Sequence, residues 1–355
     1  MKGKQFNITV GGVCMILLFA MILMMAMCPS VYAQTLVPCG STYTAKAKGE
    51  KIKCVIPTPT PVPTAQPSPI PTPVPTPQPS PSPGVVCSKT VSQVGDAQAS
   101  VNASVAGQTV CMEPGTYNFT VAFYPKSGVR IFCKPGAKLV FDGGSQEAPR
   151  FNTNVTGGIL EGCEIVNGWD GVKVTGNNNI VRNNYIHDSI YMGILVTSSS
   201  GNILEGNRIL NSGAGAKYIS GFSPRHAHSI YFSNAAGYCV NMIGNKALNN
   251  ILGPEAGVGV NFNGNECAKI GKYIIGTVVE GNEIINTNAG AALWYGTKDT
   301  VIKDNSFTIL NPPASNMPES LKFAITVWGG AASEPSITGN TYNLKAGYGE
   351  FKSYP

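Results

Sequence analysis

The chain has 355 residues and a formal net charge of +6. Residues 85 to 355 contain 19 of the 25 Lys and Arg residues and 18 of the 19 Asp and Glu residues, so the positive excess belongs to the N-terminal segment. The main part of the chain therefore has no basic stripe, and nucleic acid is excluded as the expected partner.

The first 33 residues are typical of a secretory signal peptide. Two lysines precede an apolar run from Val13 to Met27, and small residues close the segment at Ala33. A retained membrane anchor is less favoured because the run is short for a span. A lipoprotein anchor at Cys28 is disfavoured because Met27 occupies the place of a small residue. We expect cleavage after Ala33, no remaining membrane contact, and a secreted or cell-surface protein.

Three further regions follow. Residues 34 to 56 form a short basic segment whose two cysteines, Cys39 and Cys54, are expected to pair, and it suggests no function. Residues 57 to 84 are a Pro/Thr/Ser tract, which predicts a semi-rigid polyproline linker. Residues 85 to 355 form the main domain.

This domain begins with a predicted helix that places Val94, Ala97 and Val101 on one face and ends before Gly107. A solenoid must cover its open end, and a helix at this position is suited to that purpose.

A repeat then runs to the C-terminus. Each unit has an apolar pair, a short polar step ending in Asn, and a single apolar residue. The Asn position recurs at intervals of 21, 23, 38, 37, 23 and 35 residues, at Cys163, Asn184, Asn207, Asn245, Asn282, Asn305 and Asn340. A second polar column follows four residues later, at Asn167, Asp188, Asn211, Asn249 and Asn286. Short intervals fit one coil of a parallel β-helix, long intervals fit a coil with an inserted loop, and stacked Asn amides can bond between coils.

Eight cysteines remain after the signal peptide, and an even number in an exported protein suggests disulfides. Aligning Gly128 with Gly158 places Cys133 and Cys163 at equivalent positions of successive coils, about 4.8 Å apart and within bridging distance. Proximity in sequence further suggests Cys87–Cys111 and Cys239–Cys267.

The predicted cap helix, the segment GQTVCMEPGTY at residues 107–117 and the later G-N-x-I coils resemble secreted right-handed parallel β-helix proteins of the pectate-lyase-like superfamily. The resemblance covers residues 85 to about 345. It implies an all-β solenoid in which a groove beside one strand of each coil binds polysaccharide. The superfamily contains lyases, hydrolases, epimerases, tailspikes and adhesins, so the resemblance does not define one reaction.

One strand of each coil can be aligned so that alternate side chains point inward. The predicted inward columns are Val172, Ile194, Ile230, Val260, Leu293 and Ile325, and then Val174, Val196, Phe232, Phe262, Tyr295 and Val327. The predicted outward columns are Lys173, Leu195, Tyr231, Asn261, Trp294 and Thr326, and then Thr175, Thr197, Ser233, Asn263, Gly296 and Trp328. Insertions at 212–228, 251–258 and 311–323 would form the walls of this groove.

Outward aromatic residues in such a groove favour sugar binding over packing beneath loops. The predicted substrate-binding residues are Lys173, Asn261, Asn263, Trp294, Trp328 and Lys217, of which Lys217 is also a spare candidate base.

The segment from Gly221 to Tyr231 is the densest cluster of chemical groups. It contains the predicted catalytic residues Arg225, His226, His228 and Tyr231. β-Elimination at a uronate needs a base near C5, an acid for the leaving oxygen and a partner for the carboxylate; His, Tyr and Arg can supply these. The segment resembles the D-P-H motif of mannuronan C5-epimerases, except that Ser223 replaces the Asp and Arg225 the His. In the alternative, His228 only hydrogen-bonds a loop.

We therefore expect an enzyme of lyase or epimerase type acting on an acidic polysaccharide, without a cofactor and as a monomer. Glycoside hydrolysis is less favoured because no outward strand position holds Asp or Glu. No Asp cluster for calcium is evident, and His226 and His228 have no third metal ligand. The competing interpretation is a non-catalytic β-helix for glycan binding or surface attachment, displayed on the Pro-rich stalk.

Overall fold

The structure is a computed structural model that describes residues 84–142, 149–214, 226–235, 237–254, 257–312, 321–329 and 333–354. The predicted signal peptide, the Cys39–Cys54 pair and nearly all of the linker lie outside these residues. The described chain contains two helices, α1 (Val94–Asn102) and α2 (Asn265–Ala268), and 30 short strands.

The strands are two to six residues long, because each supplies only one side of a coil. The first fifteen are β1 (Lys89–Val91), β2 (Thr109–Met112), β3 (Gly115–Phe119), β4 (Arg130–Cys133), β5 (Ala137–Phe141), β6 (Arg150–Phe151), β7 (Ile159–Glu161), β8 (Glu164–Val166), β9 (Val172–Val174), β10 (Ile180–Arg182), β11 (Tyr185–His187), β12 (Ile194–Thr197), β13 (Ile203–Glu205), β14 (Arg208–Leu210) and β15 (Ile230–Ser233). The others are β16 (Met242–Ile243), β17 (Lys246–Leu248), β18 (Ile251–Leu252), β19 (Val258–Asn263), β20 (Ile274–Ile275), β21 (Val278–Glu280), β22 (Glu283–Ile285), β23 (Ala289–Trp294), β24 (Thr297–Lys298), β25 (Val301–Lys303), β26 (Ser306–Ile309), β27 (Phe323–Val327), β28 (Ser336–Thr338), β29 (Thr341–Leu344) and β30 (Gly349–Ser353).

These strands form three long parallel sheets. Sheet A has the order β1-β2-β4-β7-β10-β13-β17-β21-β25-β28, sheet B has β3-β5-β8-β11-β14-β18-β22-β26-β29, and sheet C has β6-β9-β12-β15-β19-β23-β27-β30. From β4 onwards the chain visits sheets A, B and C in turn, once per coil. A short fourth sheet, β16-β20-β24, widens three of the later coils. The predicted parallel β-helix is therefore confirmed.

One continuous apolar core fills the inside of the coils. In sheet C the inward residues Val172, Ile194, Ile230 and Val260 are fully buried, and their strands pair in the predicted register. Helix α1 packs on the first strands with Ala97 and Val101 buried, so it covers the N-terminal end of the core, but Val94, predicted on the same face, is exposed because it lies in the first turn.

Three predicted disulfides are present in the described residues. The Cα–Cα distances are 5.6 Å for Cys87–Cys111, 4.8 Å for Cys133–Cys163 and 5.2 Å for Cys239–Cys267. The alignment behind the second pairing was wrong by one residue, since Phe132 lies opposite Glu161.

The Asn column exists, with one member corrected. Its hydrogen-bonded amides run from Asn184 to Asn207 and on through Asn250, Asn282, Asn305 and Asn340. Asn245 was predicted in the place that Asn250 holds; it belongs to a second amide column and bonds Asn202. For the same reason Asn249 was wrongly assigned to the outer polar column: it directly precedes Asn250 and has a φ of 54°.

Strand β23 also differs from the prediction, by two residues. Asn261 pairs with Ala292 and Asn263 pairs with Trp294, so Ala291 and Leu293 point inward. Tyr295, predicted to be inward, lies after the strand with a φ of 48° and is exposed. The shift moves Trp294 into the outer column next to Asn263.

None of the described helices is long and apolar enough to cross a membrane.

Candidate functional site

The outer face of sheet C presents two columns of side chains. The first contains Arg150, Lys173, Leu195, Tyr231, Asn261, Ala292 and Thr326. The second contains Thr197, Ser233, Asn263 and Trp294, and Trp328 stacks on its end. One end of the face is therefore basic and rich in hydroxyl groups, and the other end is aromatic.

Two clefts open on this face. Cleft 1, about 400 Å³, is lined by Tyr191, His226, His228, Tyr231, Val258, Asn261, Asn263, Trp294 and Leu321. Cleft 2, about 1010 Å³, lies over the basic end and includes Arg150, Lys173, Thr175, Thr197 and Ser233 in its lining. Tyr191 and Tyr231 line both clefts, so the clefts adjoin and form one groove. Among the described lining residues there is no Asp or Glu.

The four predicted catalytic residues do not all lie in the described part of the structure. Arg225, like the substrate-binding candidate Lys217, lies outside the described residues. His226 is exposed and lines cleft 1, close enough to His228 for their charges to interact. Tyr231 is at the junction of the clefts, and its ring lies 5.3 Å from the His228 ring, edge to face.

His228 is buried, with 7% of its surface exposed. Its Nδ1 accepts the backbone N–H of Val258 at 3.0 Å, and its Nε2 lies 3.1 Å from the side-chain amide of Asn261. Burial, together with the nearby His226, lowers the pKa of His228 to about 3. The ring is therefore neutral over the physiological pH range, and both of its nitrogens are engaged. Its predicted catalytic role stays a prediction.

The two tyrosines at the junction keep their protons. Burial, with smaller contributions from the neighbouring Tyr231 and Asp170, raises the pKa of Tyr191 to about 12. Burial also raises the pKa of Tyr231, although side-chain hydrogen bonds with Asn263 and Ser233 oppose the shift. Both side chains are therefore proton donors at neutral pH and poor bases. Tyr191 was missed in the sequence because it precedes β12 in a loop, outside the aligned strand positions.

The aromatic end is a continuous stack. The rings of Trp294 and Trp328 are 3.5 Å apart and nearly parallel, and Trp328 stacks on Tyr354 at 5.6 Å. Both faces of Trp328 are therefore occupied by aromatic rings, and its predicted role in substrate binding stays a prediction. Trp294 has one face on Trp328, and the other faces the preceding coil and cleft 1.

The basic end adds a residue that the sequence analysis missed. Arg150 lies opposite Lys173 in the two-residue strand β6. Three strand steps of about 4.8 Å separate Arg150 from Tyr231, which is roughly 14 Å along the groove. The strand is too short to show an alternating pattern, so no signal in the sequence marked Arg150 as a groove residue.

No cluster of three or more His, Cys, Asp or Glu side chains suited to a metal ion occurs among the described residues. Within that part of the chain, His226 and His228 of cleft 1 therefore belong to no such cluster.

Coils, groove and end cap together define a right-handed parallel β-helix. Residues 151–307 match the family model described as "Right handed beta helix region". The parallel β-helix fold that the sequence predicted is therefore confirmed.

Solved structures with the same fold include an alginate lyase from Paenibacillus sp. str. FPU-7, with 15% identity and a TM-score of 0.50, covering 74% of this chain and 99% of that one. Pectate lyase Pel9A has 14% identity and a TM-score of 0.48, covering 77% of each chain. The surface adhesin PfbA of Streptococcus pneumoniae has 16% identity and a TM-score of 0.39, covering 70% of this chain and 79% of that one. No curated protein matches the sequence.

Proposed function

We propose that the groove binds an acidic, uronate-containing polysaccharide and that the protein is a lyase or epimerase acting on it. The observation that carries the proposal is the order of groups along sheet C. Cations and hydroxyl groups line cleft 2, two protonated tyrosines stand at the junction, and two imidazoles, two amides and a tryptophan line cleft 1. Positive side chains suit the carboxylates of the polymer, and the Trp294 ring in the lining of cleft 1 suits a sugar ring.

In a lyase reaction, a base removes the proton at C5 of a uronate, the C4–O bond breaks, and an acid protonates the leaving oxygen. The product carries a C4=C5 double bond. Tyr231 fits the acid, because burial holds its proton at neutral pH. His226 fits the base, because it is exposed in the same cleft. In an epimerase the proton returns to the other face of C5 and the chain stays intact.

A hydrolase is less well supported. Inverting and retaining glycosidases use two carboxyl groups about 5 to 9.5 Å apart. The described lining of both clefts supplies neither, whereas protonated tyrosines and an imidazole suit proton transfer at carbon.

The fold's analogy to an alginate lyase favours alginate as one test substrate, beside pectate and glycosaminoglycans. The protein is incubated with each polymer in D₂O. A lyase produces unsaturated chain ends that absorb in the ultraviolet, and an epimerase incorporates deuterium at C5 without shortening the chain. If neither signal is observed with any acidic polymer, the proposed chemistry is excluded.

The residue assignment is tested with Tyr231→Phe, which keeps the ring and removes its proton. We expect turnover to fall by about 10²- to 10⁴-fold with little change in unfolding temperature. Tyr342→Phe is the matched control, because Tyr342 is also partly buried with a raised pKa but lies in sheet B. Wild-type turnover in Tyr231→Phe would contradict the assignment.

A non-catalytic glycan-binding protein is the second candidate. It is favoured by the state of His228, whose low pKa and two hydrogen bonds leave His226 as the one described imidazole available for proton transfer in cleft 1. Retention on an immobilised acidic polymer without product or deuterium uptake would identify this function.

In either case three disulfides in the described residues support an oxidising, extracellular location.

A further inference from the structure

One side of cleft 2 is formed by a turn that carries an exposed aromatic ring. Tyr238 is 77% exposed and lines the cleft together with Val240, which is 38% exposed. The other two tyrosines of this lining, Tyr191 and Tyr231, are only partly exposed. Single exposed apolar residues are common on protein surfaces, so exposure alone does not mark a site. Tyr238 differs from such residues in how firmly its turn is held.

Three consecutive residues of this turn are attached to the coils. The backbone N–H of Tyr238 donates to the backbone oxygen three residues earlier, at 3.1 Å. Cys239 forms a disulfide with Cys267 of helix α2, which belongs to the next coil. The buried Asn234 side chain accepts the N–H of Val240 at 3.3 Å and donates to its backbone oxygen at 2.7 Å. The backbone that carries the Tyr238 ring is therefore fixed before a ligand arrives, which lowers the entropy cost of binding.

The side chains of sheet C that share this cleft are polar. Thr197 and Ser233 present hydroxyl groups from paired positions of neighbouring strands, and Arg150 and Lys173 supply cations. An aromatic ring beside hydroxyl groups and cations fits a sugar, because a pyranose has hydroxyl groups on its rim and C–H groups on its faces. A uronate adds a carboxylate, which suits the cations.

We propose that Tyr238 is a sugar-stacking residue of a binding subsite in cleft 2, and that the Cys239–Cys267 disulfide positions its turn. This subsite is separate from the proposed reaction centre in cleft 1. The acidic nature of the polymer rests on the proposed function. The stacking role does not, because neutral sugars present the same C–H faces to an aromatic ring.

The first test measures binding of oligouronates by calorimetry on the intact protein, in a Tyr231→Phe background that reduces turnover. Tyr238→Ala should weaken binding by about threefold to tenfold, and Tyr238→Phe, which keeps the ring, should leave it unchanged. Tyr124→Ala is the matched control, because Tyr124 is 40% exposed and lines neither cleft. Unchanged binding in Tyr238→Ala, or an equal loss in Tyr238→Phe, would overturn the stacking role.

The second test concerns the position of the turn. Replacing Cys239 and Cys267 together by Ala releases the turn and leaves the ring in place. We expect this change to weaken binding about as much as Tyr238→Ala does, and Tyr238→Ala to add less than about twofold in that background. Asn234→Ala, which removes both hydrogen bonds to Val240, is a second way to release the turn and should act in the same direction.

The Cys87–Cys111 pair is the control for the loss of a disulfide, because neither cysteine lines a cleft. Replacing both by Ala should lower the unfolding temperature without changing affinity. Unchanged binding without the Cys239–Cys267 bond, or a full further loss from Tyr238→Ala, would assign that disulfide to stability alone and refute its positioning role.

The third test separates this inference from the proposed function. The parent protein and Tyr238→Ala are passed over immobilised acidic polysaccharides and immobilised neutral ones. Equal retention of both proteins on an acidic polymer would refute the subsite and leave the proposed function standing. Retention on a neutral polymer alone, weakened in Tyr238→Ala, would refute the acidic substrate and support the subsite. Retention on neither kind would refute both.

Discussion

Replacing Asn250 by Ala tests the corrected coil register. The Asn250 side chain is buried and makes four hydrogen bonds. Its Oδ1 accepts the backbone N–H and the side-chain Nδ2 of Asn207, and its Nδ2 donates to Leu204 O and to Asn282 Oδ1. The distances are 2.9 to 3.0 Å, and the residue is 1% exposed.

The cost follows from the groups left without a partner. The side chain of Asn207 still bonds Val181, and Asn282 Oδ1 still accepts the backbone N–H of Asn250. The hydrogen bond that the backbone N–H of Asn207 donates is lost, and so is one hydrogen bond that Leu204 O accepts. At about 1–3 kcal/mol for each of these two buried groups, the expected loss of unfolding free energy is about 2–6 kcal/mol.

Urea unfolding followed by circular dichroism measures this loss. Asn343→Ala is the control, because Asn343 is exposed in strand β29, and we expect it to change stability by less than about 0.5 kcal/mol. Amide hydrogen exchange supplies a local reading: the N–H of Asn207 should lose protection in Asn250→Ala.

A double-mutant cycle separates the two registers. Asn207 and Asn250 share hydrogen bonds, so their substitutions should be non-additive by about 0.5–3 kcal/mol. Asn207 and Asn245 belong to different columns, and their effects should add. Coupling of Asn207 with Asn245 and none with Asn250 would refute the register described here.

Three more predictions concern the groove and the coil walls. Trp294→Ala should weaken polysaccharide binding by roughly threefold to tenfold with a smaller effect on turnover, measured by calorimetry on the intact protein. Burial raises the pKa of Glu164, but hydrogen bonds from Lys138 and His187 outweigh it and hold the pKa below its ordinary value of 4.5. The ionised Glu164 side chain therefore stabilises the fold above that pH, and this contribution is lost as the pH falls. Glu164→Gln should flatten the decline of unfolding temperature below about pH 4.5. Gly257→Ala should lower the unfolding temperature, because its methyl carbon would lie 1.5 Å from the backbone oxygen of Ala227; an unchanged unfolding temperature would contradict this.

The sequence was sufficient for the architecture because each coil repeats the same local chemistry. The inward positions of β9, β12, β15 and β19 were all apolar, and one residue of slip would have placed charged or polar groups in the core. That constraint is strong, and those four strands pair as predicted.

The two register errors arose where this constraint is weak. A shift of two residues preserves alternation, so β23 could be aligned with either Leu293 or Tyr295 as its last inward residue. Five residues separate Asn245 from Asn250, and each follows a residue with positive φ, Gly244 at 67° and Asn249 at 54°. Local sequence does not distinguish Asn245 from Asn250, because the hydrogen bonds of the neighbouring coil determine which of them joins the column.

Prediction of the site from the sequence was limited in another way. Sequence could bring Tyr231, His226 and His228 to one place, because they are neighbours along the chain. The state of His228 depends on Val258 and Asn261, which are 30 and 33 residues away and meet it only through coil stacking. A histidine whose Nδ1 accepts a hydrogen bond from a backbone N–H and whose Nε2 is hydrogen-bonded to a side-chain amide cannot take a proton from substrate without breaking one of these bonds. The proposed proton transfer in cleft 1 is therefore assigned to Tyr231 and His226.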